Sequence, residues 1–249
     1  MSEPVAVVLA AGKGTRMKSE LPKVLVEVGG RPMIEFVLAA LRQAGVRRIV
    51  VVVGYRSDLV REVLAGEADL TFVEQTEQLG TGHAVMVCRD ELAGHEGPVV
   101  ILTGDSPLTQ AGSLRKLLDL YRDERPACII GTTHKENPAG LGRIVRDEQG
   151  NFVAIVEQKD TTDKQAAIRE VNMSTYVFHG PELLHALAQL TTDNAQGEYY
   201  VTDCPGILKR EGKDVRALAA LAPCESLSIN TFDDLAAVEA EMRRQASTA

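Results

Sequence analysis

The sequence has no long apolar run, no excess of positive charge and no closely spaced cysteines. No stretch of its 249 residues approaches the roughly 20 apolar residues of a membrane-spanning helix. The apolar run near the amino end is short and leads into a glycine-rich loop, without the charged-then-apolar order of a secretory signal. A cytoplasmic protein with no membrane partner is therefore expected. The net charge of −8 argues against a general affinity for nucleic acid or anionic membranes. Cations that serve a polyanionic ligand must then be gathered at one place. Cys88, Cys128, Cys204 and Cys224 lie far apart with no Cys-x-x-Cys, which reads as free, buried or half-buried thiols and not as a zinc site. A hydrophobic content of 45% is ample for one large α/β domain, or for such a domain with a small insert.

The gathered cations are found at once. Val5-Ala6-Val7-Val8-Leu9 is apolar without alternation, as expected of a strand buried on both faces at the centre of a parallel sheet. It runs through Ala10-Ala11 into Gly12-Lys13-Gly14-Thr15-Arg16-Met17, followed by Pro22-Lys23. Glycines let the backbone approach a ligand and turn N–H groups toward phosphate oxygens, and Lys13, Arg16 and Lys23 add charge there. Two familiar phosphate loops do not fit. The dinucleotide fingerprint would need a third glycine where Met17 stands. The Walker pattern would need Ser or Thr where Gly14 stands, and an earlier glycine where Val7 stands. A turn made only for folding seldom carries three cations, so a third kind of phosphate loop is expected.

This run, with Pro22-Lys23, resembles the signature of the sugar-1-phosphate nucleotidyltransferases. Within them it is most similar to the N-acetylglucosamine-1-phosphate uridyltransferase (UDP-N-acetylglucosamine pyrophosphorylase) domains of bacterial bifunctional enzymes. The resemblance implies a Rossmann-like, doubly wound, mostly parallel α/β sheet of the nucleotide-diphospho-sugar transferase type, with a small β-rich sugar-binding lobe. It implies that Leu9, Ala10, Ala11, Gly12, Gly14 and Thr15 contact the nucleotide, and that Arg16 and Lys23 are catalytic.

Further along, Ile34–Ala44 has helical apolar spacing closed by Gly45, and Arg48–Val53 reads as a second buried strand with a helix from about Asp58 to Leu64. Strand and helix at these intervals form the doubly wound pattern. A short strand, Thr71–Gln75, precedes Gln78-Leu79-Gly80-Thr81-Gly82-His83, with Thr81 expected to cap the next helix. By resemblance, Gln75, Gly80 and Thr81 read the uracil, whose edge suits an amide's paired donor and acceptor. His83 reads as structural, with no partner evident nearby. Pro98–Leu102 is a third strand ending in Thr103-Gly104-Asp105-Ser106-Pro107-Leu108. An aspartate just past a central strand suits a metal site in open α/β sheets. The resemblance makes Asp105 a Mg2+ ligand and puts Thr103 and Gly104 near the sugar; a helix cap is the plainer alternative for Asp105.

Ala127–Thr133 is another strand. Gly142-Arg143-Ile144-Val145 and Val153–Val156 are then short strands around the turn Glu148-Gln149-Gly150-Asn151. By resemblance Gly142, Glu157 and Asn172 contact the sugar hydroxyls and N-acetyl group. The most specific match is Thr192-Asp193-Asn194-Ala195-Gln196-Gly197-Glu198-Tyr199-Tyr200-Val201-Thr202-Asp203. There Gly197 is expected to allow a tight start to a helix, Tyr200 and Thr202 to face the sugar phosphate, and Tyr199 only to pack. A strand near Val215–Leu221 precedes a last helix from Asp233 to about Gln245. Asn230 is placed as the second Mg2+ ligand, with a simple turn residue as the alternative.

The resemblance frames 1–232 as the nucleotidyltransferase domain, with its sugar-binding lobe at roughly 137–205, and 233–249 as a C-terminal helix and tail. No hexapeptide repeats occur, so acetyl transfer is not expected, and the oligomeric state is not readable. The implied reaction joins UTP and N-acetylglucosamine-1-phosphate, with Mg2+ as cofactor and small molecules as the only partners. Its phosphate nucleophile needs no base, in keeping with the absence of an obvious one. Two departures fall near the sugar: Leu141 replaces an aromatic, and Met173-Ser174 replaces Thr-Gly after Asn172. They are expected to reshape that pocket. The rivals are a nucleotidyltransferase for dTTP or UTP with glucose-1-phosphate, and a catalytically silent nucleotide-sugar-binding protein.

Overall fold

In the computed structural model, residues 2–14, 17 and 20–247 are described; Thr15 and Arg16 of the first loop lie outside them. β1 (Val5–Leu9) is the central strand. Its side chains alternate between faces: Val5 and Val7 join one hydrophobic cluster, Ala6 and Val8 the other. A residue run apolar at every position is what two covered faces require.

A short hairpin, β2 (Glu27–Val28) and β3 (Arg31–Pro32), leads into α1 (Met33–Gln43). Ile34, Val37, Leu38 and Leu41 line the buried face of α1 at three- and four-residue spacing. Gly45, at φ 92°, turns the chain after its end. β4 (Arg48–Val53), α2 (Ser57–Val63), β5 (Leu70–Glu74), α3 (Thr81–Met86), α4 (Arg89–Leu92) and β6 (Pro98–Thr103) follow. β1, β4, β5 and β6 are mutually parallel where they pair, and their carboxyl ends share one edge.

α5 (Ala111–Glu124) crosses to β7 (Cys128–His134). β8 (Arg143–Arg146) and β9 (Phe152–Val156) form a hairpin that the main run of strands does not include. After α6 (Asp163–Ala166), β10 (Glu170–His179) returns to the main sheet between β6 and β7, antiparallel to both. α7 (Gly180–Leu187), α8 (Asp203–Arg210), β11 (Val215–Leu218) and α9 (Phe232–Ala246) complete the chain. β11 extends the edge parallel to β7, giving the order β11-β7-β10-β6-β1-β4-β5. The mixed α/β, mostly parallel sheet agrees with the fold class expected. No described helix is long and apolar enough to cross a membrane.

A third, smaller cluster (Met17, Val28, Met33, Leu108, Ile229 and Val238) packs α9 beside the loop that follows β1. It brings the distant 228–230 segment to the carboxyl edge of the sheet, where Ile229 N–H donates to the Asp105 carbonyl (3.3 Å).

Candidate active site

The loops leaving β1, β5 and β6 border a cleft of about 380 Å³, within the range of small-molecule sites. Its walls include Leu9, Ala10, Ala11, Gly12, Gly14 and Lys23 from the first loop, Gln75, Gly80 and Thr81 from the second, and Thr103 and Asp105 from the third. Asn230 closes it from the 228–230 segment. Residues 221 positions apart in the chain thus meet at the edge where open parallel sheets bind ligands.

The first loop owes its shape to Gly14. Its φ is +67°, and a Cβ there would fall 2.7 Å from the Lys23 Cβ. Only glycine permits that backbone and that close approach together. Met17 N–H donates to the Gly14 carbonyl (3.0 Å) and the Met17 side chain is buried in the third cluster, so this residue anchors the loop from below. Lys13 does not join the cleft. Its ammonium lies 5.0 Å from the centre of the Tyr55 ring, a cation–π contact that the sequence did not suggest. Arg16 and Thr15 lie outside the described residues.

Lys23 follows Pro22 on a single turn anchored by buried Val24 and Leu25. Its ammonium donates to an Asp105 carboxylate oxygen and to Asn230 Oδ1 (2.8 Å). The side chains of Lys23 and Asp105 are only 13% and 20% exposed, so this ion pair is held inside the cleft wall. Asp105 and Asn230 together offer a carboxylate and an amide oxygen. Such hard donors suit Mg2+, which typically takes one or two protein ligands and completes its shell with water and substrate phosphates. Among the described residues no cluster of three His, Cys, Asp or Glu side chains could hold a metal alone. The alternative of Asp105 as a helix cap is not seen: α5 begins at Ala111.

At the base end of the cleft, Gln75 is buried and its Nε2 donates to the Gly80 carbonyl (3.2 Å) and faces His83 Nδ1 (3.1 Å). His83 therefore has a partner after all, Gln75, which lies eight residues earlier across the Gly80 turn. An acceptor Nδ1 leaves the ring proton on Nε2. With the amide nitrogen engaged, Oε1 of Gln75 takes no hydrogen bond among the described residues and is the polar atom left for a ligand. Thr81 is not the N-cap; it is the first residue of α3, after Gly80. Its hydroxyl instead accepts from Val201 N–H (3.1 Å). Gly82 N–H donates to the Tyr199 carbonyl (2.7 Å), and Tyr199 N–H to the Leu79 carbonyl (2.9 Å). The 198–201 segment is thus laid over the Gly80 loop. A Cβ on Gly80, whose φ is +107°, would fall 2.5 Å from the Tyr199 carbonyl oxygen. This close crossing explains why the two glycine motifs are far apart in sequence and yet work as one wall.

Of the residues expected at the sugar, Gly142, Glu157, Asn172, Tyr200 and Thr202 gather separately, in and beside the hairpin, and do not line the cleft described above. A Cβ on Gly142 would lie 3.5 Å from Asn172 Cβ and from a Glu157 carboxylate oxygen. Asn172 N–H donates to the Gly142 carbonyl (2.9 Å), which joins β10 to the start of the hairpin. Burial pushes the Glu157 carboxyl above its usual range; the Thr202 hydroxyl, bonded to it, and the Arg143 guanidinium oppose that rise only in part, while Asp160 and Asp203 add to it. Tyr200 is buried and its hydroxyl accepts from Gln196 Nε2 (2.7 Å). Thr103 lies across in the cleft wall, with its hydroxyl on Ser106 (3.1 Å). Gly104 instead packs under the first loop, its N–H donating to the Leu9 carbonyl (2.9 Å).

Two sequence expectations in this region are corrected. Gly197, at φ +65°, closes a turn onto the Asn194 carbonyl (3.1 Å) well before α8, and does not start the helix. Met173 does not narrow a pocket, because its side chain is buried in a core cluster, against which half-buried Leu141 also packs. Ser174 has φ +50°, at the register shift between Asn172 and Thr175 in the β10–β7 pairing. The resembled family carries glycine at this position, and the left-handed backbone supplies the reason. Tyr199 packs as expected, its ring 6.5 Å from that of His83.

Sequence reading missed Gln78, Glu198 and Val24, which also line the cleft. Glu198 stood within the most specific motif, whose spacing said nothing of which side chain faces inward. Gln78 carried no signal beyond its proximity to Gly80.

Comparison with known proteins bears on this geometry. Residues 6–203 match the MobA-like NTP transferase domain model. "Bifunctional protein GlmU" of Streptococcus gordonii is 45% identical over 96% of this chain and 52% of its own length. The protein of the same name from Streptococcus thermophilus is 46% identical over 98% and 53%. The chain therefore spans about half the length of these curated relatives. Among solved structures, a UDP-glucose pyrophosphorylase complexed with UDP-glucose aligns with TM-score 0.75 at 16% identity, covering 98% of this chain and all of that one. A putative glucose-1-phosphate thymidylyltransferase from Bacillus anthracis aligns with TM-score 0.80 at 18% identity, covering 96% and 95%. These two share the fold. With the glycine loop, the strand-end aspartate and the cleft between them, the family match leads to one conclusion: this chain belongs to the MobA-like NTP transferase domain family, a family of nucleotidyltransferases.

Proposed function

We propose that the protein joins UTP and N-acetylglucosamine-1-phosphate to give UDP-N-acetylglucosamine and pyrophosphate. One observation carries the reading: the glycine loop with Lys23, the Gln75 amide and the Asp105–Asn230 oxygen pair line one cleft. The similarity to "Bifunctional protein GlmU" over most of the chain supports it. Segment 137–205 is the proposed sugar-binding lobe of a 1–232 nucleotidyltransferase domain.

In this reading Gly12 and Gly14 present the loop backbone to the triphosphate. Gln75 Oε1 accepts from the uracil edge, beside Gly80 and Thr81. Glu157, Asn172, Gly142, Tyr200 and Thr202 receive the sugar. A phosphate oxygen of the sugar phosphate attacks the α-phosphorus of UTP; that bond forms while the bond to the bridging oxygen breaks, and its electron pair leaves with pyrophosphate. The monoester's second pKa is about 6, so the nucleophile is largely dianionic at neutral pH and needs no base. What remains for the protein is alignment and charge neutralisation. Lys23 holds phosphate oxygens at the reacting centre and Arg16 the departing pyrophosphate. Asp105 and Asn230 would hold Mg2+, whose contribution is to lower repulsion between the two phosphates.

The test is pyrophosphate release by the purified chain with a panel of nucleotides and sugar phosphates, in the presence of Mg2+. UTP with N-acetylglucosamine-1-phosphate should give the highest kcat/KM. A preference for dTTP or glucose-1-phosphate would move the assignment within the family, and binding without pyrophosphate release would make this a nucleotide-sugar sensor.

A further inference from the structure

Lys23 stands between two groups that the proposed chemistry assigns to a metal. Its ammonium is bonded to both Asp105 and Asn230, so one oxygen of each is already turned to a cation of the protein's own. Neither donor depends on Lys23 for its place. Asp105 follows β6, and its carbonyl accepts Ile229 N–H. Asn230 is fixed by Ile229, fully buried, and by its own N–H on the Asp234 carboxylate (2.9 Å), within the capping box that starts α9. Lys23 has a separate anchor in Val24 and Leu25, and its stem packs against Gly14. Three pieces of the chain therefore meet at one ammonium. The ammonium can leave without moving backbone, because a lysine stem turns about four rotatable bonds.

From this arrangement we propose that Lys23 is a built-in counter-cation: in the nucleotide-free protein it holds the Asp105–Asn230 pair against divalent metal, and an entering triphosphate draws it away. The proposal rests on the nucleotidyltransferase reading of the cleft. A positive charge in contact with both donors opposes a second cation by repulsion and by occupying the same oxygens. Phosphate oxygens beside the Gly14 loop offer the ammonium new acceptors within its reach. Metal and nucleotide then favour each other's binding, and by linkage each raises the other's affinity by the same factor. The device keeps the carboxylate neutralised in the empty site and releases it when two new negative groups arrive.

The experiment is Mn2+ binding to the full chain without nucleotide, followed by electron paramagnetic resonance, for the native protein, K23M and the doubly substituted K23M/D105N. K23M should bind Mn2+ at least about tenfold more tightly than the native protein, the scale of removing one contacting charge, and the double substitution should abolish the gain. K23Q serves if K23M does not fold, with the same expected gain. Equal or weaker Mn2+ binding by the folded single variant overturns the proposal, as does a gain that survives D105N. Metal-free UTP binding by the native protein tests the nucleotide reading separately: its absence would sink that reading, while the Mn2+ comparison would still decide the role of Lys23.

Discussion

The nucleotide wall and the hairpin lobe solve opposite problems. In the wall, backbone turns and strand ends leave polar groups facing the cleft: Gln75 Oε1, the glycine loop, and the Lys23–Asp105–Asn230 set at the rim. In the lobe, polar groups are largely spent on one another. Arg143, 2% exposed, donates to the Leu141 and Ala166 carbonyls and to Gln158 Oε1. Asn172 Nδ2 donates to the Tyr176 hydroxyl (2.7 Å), and its Oδ1 accepts Ser174 N–H (3.2 Å). Arg146 grips Glu170 with two bonds of 2.7 Å. A buried network of this kind stabilises only when complete. The difference teaches that a change in the wall should cost turnover first, whereas breaking the lobe's ion-pair network should cost stability first.

Four substitutions sharpen or break that contrast. Asp105→Ala should lower kcat by about 10²–10³, the scale of losing a charge contact made in the transition state. Its melting temperature should move by only a few degrees, since the group borders an open cleft. A large drop in melting temperature would erase the distinction between the regions.

Arg146→Ala should do the reverse. It leaves the Glu170 carboxylate, 7% exposed, with the Thr132 hydroxyl alone (2.8 Å). Urea unfolding should show a loss of about 2–3 kcal/mol, with kcat changed less than about threefold where both proteins are folded. Burial raises the Glu170 carboxyl, but the Arg146 guanidinium and Thr132 hydroxyl outweigh it and hold the group below the usual carboxylate range. A carboxyl held low in the folded state contributes stability above its unfolded pKa of about 4.3 and loses it as pH falls through the folded value. The gap between native and variant stability should therefore close in acid; a gap that widens there would count against this pair.

Glu157→Gln addresses a lobe carboxyl held above its usual range. A raised carboxyl costs the folded state stability as pH rises through its folded value, so the amide should not lower the melting temperature at neutral pH. It should raise KM for the sugar phosphate about tenfold, worth ~1.4 kcal/mol, and leave KM for UTP unchanged. Equal shifts in both KM values would show that the lobe and wall do not divide the substrates.

The smallest effect is expected of Ser174→Gly. Relief of the left-handed backbone gains about 1 kcal/mol, and loss of the hydroxyl bonded to Tyr176 offsets it. Denaturant midpoints should agree to within roughly that energy, while KM for the sugar phosphate shifts severalfold because Tyr176, whose hydroxyl accepts from the Asn172 amide, loses its bond to Ser174. No change in either quantity would remove Ser174 from the positioning of Asn172.

Much of the wall was legible because each part is a short local pattern. Five apolar residues and a Gly-x-Gly are adjacent in the chain, and both the buried strand and the loop follow from local sterics. Thr103-Gly104-Asp105 was readable for the same reason. The lobe was less so. Its alternating strands were visible, but nothing in Met173 told that the side chain turns into the core, and only φ at Ser174 explained the glycine of the resembled family. His83 gained a partner through a turn whose geometry periodicity does not describe.

The sequence by itself determined strands β1, β4 to β9 and β11 and the glycine loop, because backbone preference and hydrophobic period act between near neighbours. It did not determine that β10 would enter the sheet antiparallel between β6 and β7, nor that Lys23 would reach Asp105 and Asn230, 82 and 207 residues away. Strand pairing and side-chain convergence depend on which buried surfaces find each other across the whole chain, and that choice is made by packing. Val24, Leu25 and Ile229 seat Lys23 and Asn230; the charges at the centre of the site meet because the apolar residues beside them are buried.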